Sequence, residues 1–445
     1  VNTPARLRLG AWRRHGTTHR LGWGLADQAV SSLTNFLVVI LVARAVGPSG
    51  FGIFSLAYVT YGVALNVSRG LATDPLVVRY SGVSTDCWRR AVRNAAGTAL
   101  TVGCVMGAGC AAVGLVLGGS LGAAFLVLGV VLPGLLLQDS WRYAFFASGQ
   151  GRKSFINDLA WGLALVPLIV LASHEGGVPW FVFAWGVAGG VAALLGIVQA
   201  RLLPRPTGTR MWLAQQRELG SRYLVENLSM STVTQLRFFS VGAIAGLSAV
   251  GEVKAAEVLL GPWLAVLQGL SLVAVPEAAR MLRRSLRAFV AFCGALAIVQ
   301  AVGVALWGLT IMFLVPDALG TRLLGSLWEP AVALMLPTTL AFMGIGFWNG
   351  AAAGLRGLAA APRSLRATLI CACLYLVGGV GGGVAGGALG SAWGVAVATM
   401  IGTAVWWWQF RAGLRDRRQT DAVPGVTEAG PTIPTAPSAP VPTRP

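Results

Sequence analysis

Charge is the scarcest commodity in this chain of 445 residues: only 11% are Asp, Glu, Lys or Arg, against about 25% in an ordinary soluble domain. A water-exposed globular surface of that size is thereby excluded, and with it a soluble catalytic domain. Acid is scarcer still, with 16 Asp and Glu against 34 Lys and Arg. Lysine is represented by Lys153 and Lys254 alone, and histidine by three residues. His15 and His19 have a helical metal-ligand spacing but lie in a basic tail without a third ligand, so no metal site is expected. The six cysteines form no disulfide framework, because Cys104, Cys110, Cys293, Cys371 and Cys373 lie in apolar stretches where a thiol behaves as a small hydrophobe. Cys87 lies in a basic loop. There is no Walker sequence, which argues against ATP hydrolysis. The glycine-rich stretch Gly378 to Gly387 lacks the Lys-Ser/Thr that would follow a phosphate loop and suits close helix packing instead. No acid, base and nucleophile cluster emerges, so an enzyme is not expected, and no cofactor is called for.

What fills the chain is apolar: 55% of residues are hydrophobic and the mean hydropathy is +0.70. A membrane span takes about 20 such residues. Runs broken by charge, Gly and Pro mark twelve segments. These are 25–46, 51–71, 95–117, 121–146, 155–172, 178–200, 224–246, 253–275, 289–315, 327–352, 367–388 and 391–410. The first run is too long for a cleavable signal peptide and further spans follow it. Alternate connections and the two tails hold 28 of the 34 cations, whereas the opposite connections hold Arg322 alone. By the positive-inside rule both termini are then cytoplasmic. The large positive excess thus records orientation, and nucleic acid is not an expected partner. Arg280, Arg283, Arg284 and Arg287 form a basic face after Pro276 that suits anionic lipid headgroups, and Trp406 to Trp408 suit an interfacial anchor.

The chain divides into a basic tail at 1–20, six spans at 21–200, a basic linker at 201–223, six spans at 224–410 and a Pro-rich tail at 411–445 expected to be disordered. Sliding the halves by 199 residues aligns 14 of the 47 positions from Leu25 to Leu71, among them Gly47 with Gly246, Ser49 with Ser248, Gly52 with Gly251 and Gly62 with Gly261. Asp27 falls on Glu226. The expected fold is an all-α polytopic membrane protein, with two six-helix lobes related by a parallel pseudo-two-fold axis along the membrane normal.

Ionisable groups inside spans carry the functional information, because each costs about 2.5–3.5 kcal/mol at mid-helix. They are Arg44, Arg69, Arg142, Arg237 and Lys254 against Asp27, Asp139, Asp158, Glu226, Glu257 and Glu329. Asp139 and Arg142 are three apart and within reach of each other, as a structural ion pair or a substrate contact. Lys254 and Glu257 share that spacing near the outer interface, where solvation or structure explains them. Asp27, Ser31, Thr34 and Asn35 make one polar stripe, and Glu226 and Arg237 share a face three turns apart. Such stripes either line a cleft between lobes or bond helix to helix. Arg237 carries the most weight, since an arginine grips phosphate through two parallel hydrogen bonds.

The segment Leu41-Val42-Ala43-Arg44-Ala45-Val46-Gly47-Pro48-Ser49-Gly50-Phe51-Gly52 resembles a signature of bacterial polysaccharide and oligosaccharide flippases, within the multidrug/oligosaccharidyl-lipid/polysaccharide (MOP) exporter superfamily. Its matching residues are Arg44, Gly47, Pro48, Phe51 and Gly52. The second half departs from it, with Leu247 and Val250 at the positions of Pro48 and Phe51. The resemblance implies a transporter in the bacterial cytoplasmic membrane that moves a polyprenyl-diphosphate-linked oligosaccharide from the inner to the outer leaflet, without ATP. It implies membrane lipids, and glycosyltransferases or a polymerase of the same pathway, as partners. Arg237 and Arg142 are then candidates for the diphosphate or sugar acids, with Asp27, Glu226 and Asp139 for gating or ion coupling. Arg69 and Asp158 complete the expected cavity set. A drug/cation antiporter of the same superfamily would need a cavity dominated by acids. A membrane-embedded glycosyltransferase or polymerase would need a large outer loop.

Overall fold

The computed structural model describes the backbone of residues 5–422 except 82 and 359, with the side chains of 1–22, 225–231 and scattered others outside the described set. No strand occurs among the described residues. The first six segments fall on α1 (Ala5–Ser68), α2 (Asp74–Tyr80), α3 (Thr85–Leu117), α4 (Gly119–Ala147), α5 (Gly151–Glu175) and α6 (Val178–Ala200). After α7 (Thr209–Gln215) come α8 (Arg217–Leu259), α9 (Gly261–Arg284), α10 (Leu286–Phe313), α11 (Asp317–Leu324), α12 (Trp328–Ala333), α13 (Met335–Gly357) and α14 (Ala361–Ala422).

Eight stretches are long and apolar enough to cross a membrane, and the bent pair of 317–333 with α13 makes a ninth. Two of the eight, Val30–Tyr80 and Pro362–Arg417, contain 51 and 56 residues. At 1.5 Å per residue each is more than twice the roughly 30 Å of hydrocarbon, so neither is one span. α1 breaks at Gly47 (φ 67°, ψ 179°) and α14 at Gly386–Gly387, where Gly387 has φ 59°. Positive φ is a conformation that glycine adopts without the penalty a side chain brings. α8 breaks in the same way at Gly246 (φ 88°, ψ 170°), the position 199 residues after Gly47. Divided at these glycines, the helices follow the expected twelve segments in order. The connections expected as short loops at 47–50 and 247–252 are single-residue breaks.

Two hairpins show why glycine is so frequent. Added Cβ atoms at Gly103, Gly107 and Gly114 on α3 would meet the backbone of Pro133, Gly129 and Gly122 on α4, a register centred on Gly118. Gly378 and Gly382 meet Gly394 and Gly390 in the same manner across the break in α14. Small residues allow backbones to touch where lipid supplies no hydrophobic drive. The expectation that Gly378 to Gly387 packs helices agrees with this contact. Gly394→Leu must displace the Gly378 carbonyl; a loss of about 1–3 kcal/mol is expected, read as a lowered midpoint in thermal inactivation of the detergent-solubilised protein.

Several boundaries differ from expectation. The segment 1–20 continues the first helix from Ala5, and α14 continues to Ala422, so only 423–445 of the expected tail falls outside the described residues. The linker 201–223 is folded rather than loose: buried Trp212 donates to the Leu71 carbonyl at 3.0 Å and Arg205 N–H to Arg93 O at 2.8 Å. The tenth span is bent by 75° after α12, where the Trp328 indole donates to Asp317 at 3.0 Å. Glu329 lies exposed on that short helix instead of inside a span. Of the three consecutive tryptophans, Trp406 is buried in the core, Trp407 bonds Phe347 O at 3.2 Å and Trp408 alone faces outward.

The lobes meet along α1 and α8. An added Cβ on Gly52 would overlap the Leu247 carbonyl, and one on Gly251 the Pro48 carbonyl. These are reciprocal contacts, since each partner is the other's equivalent 199 residues along. They lie beside the two glycine breaks and clasp the lobes at that end.

Candidate functional site

The first lobe gathers a buried ionic cluster from four helices. Arg69 donates to Asp139 through two parallel bonds of 3.1 and 2.7 Å. The residue lies on the π-helical turn Arg69–Thr73 that joins α1 to α2, and its guanidinium stands 5.1 Å from the Tyr143 ring centroid. Arg142 on α4 bonds Asp27 at 2.8 Å and lies 3.4 Å from Asp158. Gln138 bridges the next layer, donating to Asp158 at 2.8 Å and to Asn157 at 3.1 Å. Asn157 in turn donates to the Ala192 carbonyl at 2.8 Å. Asp27 is fully buried, and its Oδ1 has no hydrogen-bond partner among the described residues.

Asp139 and Arg142, expected to meet on one helix, therefore turn to different partners: Asp139 to Arg69, Arg142 to Asp27 and Asp158. Three carboxylates oppose two guanidinium groups, an excess of one formal negative charge. The helices force this arrangement. Asp27, Asp139, Arg142 and Asp158 come from three helices that pack together, and a buried ion without a partner is costly.

The second lobe holds a smaller constellation. Arg237 is 3% exposed and donates to Glu257 (3.1 Å), to Tyr375 Oη (2.8 Å) and to Ser391 Oγ (3.3 Å). Gly379 makes room for its stem, since an added Cβ there would lie 2.9 Å from Arg237 Cδ. Glu257 also pairs with Lys254 at 3.5 Å. The Lys254 ammonium lies 5.4 Å from the Phe238 ring and 5.9 Å from that of Tyr58, a residue of the first lobe. Here two cations face one carboxylate, an excess of one positive charge. Arg237 and Glu257 are nine and eleven residues from Gly246, about 15 Å along a helix, whereas Asp27 and Arg69 are about 30 Å from Gly47. The two clusters thus sit at different depths.

Between the lobes lies a cavity of about 570 Å³, with Ser32, Asn35 and Tyr58 on one side and Lys254, Glu257 and Phe342 on the other. A second, of about 160 Å³, lies inside the second lobe beside Arg237 and Tyr375. The expected cavity residues divide accordingly. Asp27, Asp139, Asp158 and Arg142 are packed inside the first lobe, and Arg69 is its most accessible charged member with 26% of its side chain exposed. The stripe on the first helix splits: Asp27 turns to Arg142, Thr34 to Gly162 on α5, and Asn35 to the interlobe cavity. Arg237 is enclosed, with Nε and Nη1 engaged, and lines the small cavity of the second lobe rather than the interlobe space. The Glu226 side chain lies outside the described residues. In the motif, Gly47 is the break, Phe51 is fully buried with its ring 6.5 Å from Phe54, Gly52 forms the clasp with Pro48 on its reciprocal side, and Arg44 is exposed.

Lys254 and Glu257, expected as a structural or solvated pair, are paired and line the interlobe cavity. Their signal was the position 199 residues earlier, where Ser55 and Tyr58 carry no charge: the second lobe departs from the repeat here. Tyr375 and Ser391 lie on spans remote in sequence and gave no signal.

No protein-family model matches the chain, and no curated protein matches it in sequence. Solved structures do. An inward-facing multidrug resistance MATE family transporter of the MOP superfamily superposes with a TM-score of 0.67 at 14% identity, over 88% of this chain and 96% of that one. The lipid II flippase MurJ, in an inward closed conformation, gives 0.65 at 11% identity, over 91% and 94%. An outward-facing MATE family transporter gives 0.55 at 14% identity, over 88% and 94%. With twelve helical segments in two lobes and a cavity between them, the chain has the fold of the MOP superfamily transporters.

Proposed function

We propose that the protein is a flippase for a polyprenyl-diphosphate-linked oligosaccharide in the bacterial cytoplasmic membrane, working from inner to outer leaflet beside the glycosyltransferases or polymerase of its pathway. The observation that carries this is the charge of the interlobe cavity. Among its described lining residues Lys254 is the one cation, and the one acid, Glu257, is shared between Lys254 and Arg237. With Arg237 behind Glu257, the described charges at this wall sum to one positive, which attracts an anionic diphosphate and repels the cationic drugs that an antiporter of this fold would carry. The headgroup occupies the cavity while its lipid chain remains in the bilayer, and the lobes rock around it.

The ionic cluster of the first lobe supplies coupling. Its surplus carboxylate, beside an Asp27 Oδ1 that has no hydrogen-bond partner among the described residues, is the candidate site for the coupling ion. Among the described residues, Arg69, Arg142, Tyr58, Tyr61, Tyr143, Asp74 and, one turn from Asn157, Lys153 are the other titratable groups around it. Protonation neutralises the cluster and loosens the hold of Arg142 across three helices.

In vesicles carrying fluorescent polyprenyl-diphosphate-oligosaccharide, Lys254→Ala is expected to slow flipping at least tenfold and Lys254→Arg to retain most of it. A proton gradient accelerates wild type, and Asp158→Asn removes that dependence. Unchanged flipping in Lys254→Ala, at normal abundance, would refute the assignment of the cavity. Flipping indifferent to both pH and sodium gradients would refute ion coupling.

A further inference from the structure

The interlobe cavity and the pocket inside the second lobe share a wall. Glu257 and Phe342 line both the interlobe space and the 160 Å³ pocket beside Arg237. That space has room for a sugar ring. Its lining is unlike that of a lipid-tail groove. Thr234, Thr338 and Tyr375 contribute hydroxyls, and Glu257 and Arg237 a carboxylate and a guanidinium, opposite the apolar Phe342, Ile345 and Val395. Fixed polar groups on one side and an apolar wall on the other match the two faces of a pyranose, its ring hydroxyls and its C–H surface.

Hydrogen-bonding capacity remains for such a guest. Thr338 gives its proton to the Leu334 carbonyl at 2.7 Å, which leaves the lone pairs of its oxygen to accept. Tyr375 accepts from Arg237 at 2.8 Å and is hydrogen-bonded to Thr234, so the two hydroxyls form one polar edge of the pocket. Glu257 uses one oxygen for Arg237 and the other for Lys254, and each oxygen retains a free acceptor site. Arg237 and Glu257 cancel one another, so the pocket calls for no charge on the ring. Lys254, on the cavity side of Glu257, supplies the charge for a phosphate.

We infer that this pocket reads the first sugar of the glycan, an uncharged pyranose, while Lys254 holds the phosphate to which that sugar is attached. The inference rests on the flippase reading and assigns its specificity: the ring bonded to phosphate is selected, whereas sugars further out stay in the larger interlobe space. Thr338 and Tyr375 are its specificity residues, and Glu257 is the element common to ring and phosphate.

The test compares binding of polyprenyl diphosphate, bare or carrying a single neutral hexose, to the full-length protein in lipid nanodiscs. Wild type is expected to bind the hexose-linked carrier about tenfold more tightly. Thr338→Val removes an acceptor and Ala341→Leu fills the pocket. Each should reduce affinity for the hexose-linked carrier to that for the bare one, without altering the latter, which also certifies their fold. Lys254→Ala should weaken both ligands. Equal binding of the two carriers to wild type, still dependent on Lys254, would overturn the sugar pocket and leave the flippase reading intact. So would a hexose preference that survives both pocket variants. Binding of neither carrier by wild type would overturn both.

Discussion

Replacing Gly52 with valine is expected to stop transport while leaving the two lobes folded. The three nearest atoms an added Cβ would meet at Gly52 all belong to Leu247, across the lobe interface, and those at Gly251 belong to Pro48 and Gly52. A side chain at either position therefore falls first on the lobe interface. It penalises only the state in which the lobes are clasped at the end of the glycine breaks. In the proposed orientation, with both termini cytoplasmic, that end faces outside. Overpacking costs about 1–3 kcal/mol, and a bias of that size acting on one of two states changes their ratio by about 5- to 150-fold. The variant should populate an outward-open form and fail to reset. In a cysteine-free background, a cysteine at Asn35, which lines the interlobe cavity, should then label faster with an impermeant thiol reagent added outside. Gly251→Val should act alike, because the two contacts are related by the repeat. Ordinary flipping and unchanged labelling in both variants would show that the clasp is not the gate.

The same residues show how far a sequence of this kind can be read. Hydropathy and the distribution of arginines locate twelve segments because the hydrocarbon imposes one length on every span. The repeat offset marks Gly47 and Gly246 before their backbone angles are known, since only glycine recurs at a position that needs positive φ. The ion partners were less legible. Charge within a span announces that a partner exists, yet Asp139 and Arg142 lie one turn apart and bond to other helices instead. Rotation of each helix about its axis decides the partner, and that rotation is set by packing along the whole bundle, including the glycine contacts of α3 with α4. Burial was illegible for the same reason. Arg237 was the strongest candidate for an anion grip, and the side chains that enclose it, Tyr375 and Ser391, lie 138 and 154 residues away.

Arg237→Ala is accordingly expected to damage the fold before it damages recognition. Truncation leaves the Glu257 carboxylate with Lys254 alone, deprives Tyr375 and Ser391 of their donor, and opens a void beside Gly379. Removing one partner of a buried ion pair typically costs about 3–5 kcal/mol, because the other charge stays buried without compensation. The detergent-solubilised variant should lose its thermal midpoint or fail to accumulate. Arg237→Lys should fall between, since an ammonium keeps the charge and gives up the planar fork that reaches Glu257, Tyr375 and Ser391 together. Neutralising both members, as Arg237→Met with Glu257→Gln, removes the stranded charge and should recover most of the lost stability. Lys254 then remains as the single positive charge of the interlobe cavity, so the double variant should still bind bare polyprenyl diphosphate. A direct contact between Arg237 and the diphosphate predicts the opposite pattern, a stable Arg237→Ala that has lost anion binding and a double variant that has not regained it. Measured side by side, thermal midpoint and bare-carrier affinity separate a strut that holds Glu257 and Lys254 in place from a ligand-binding arginine.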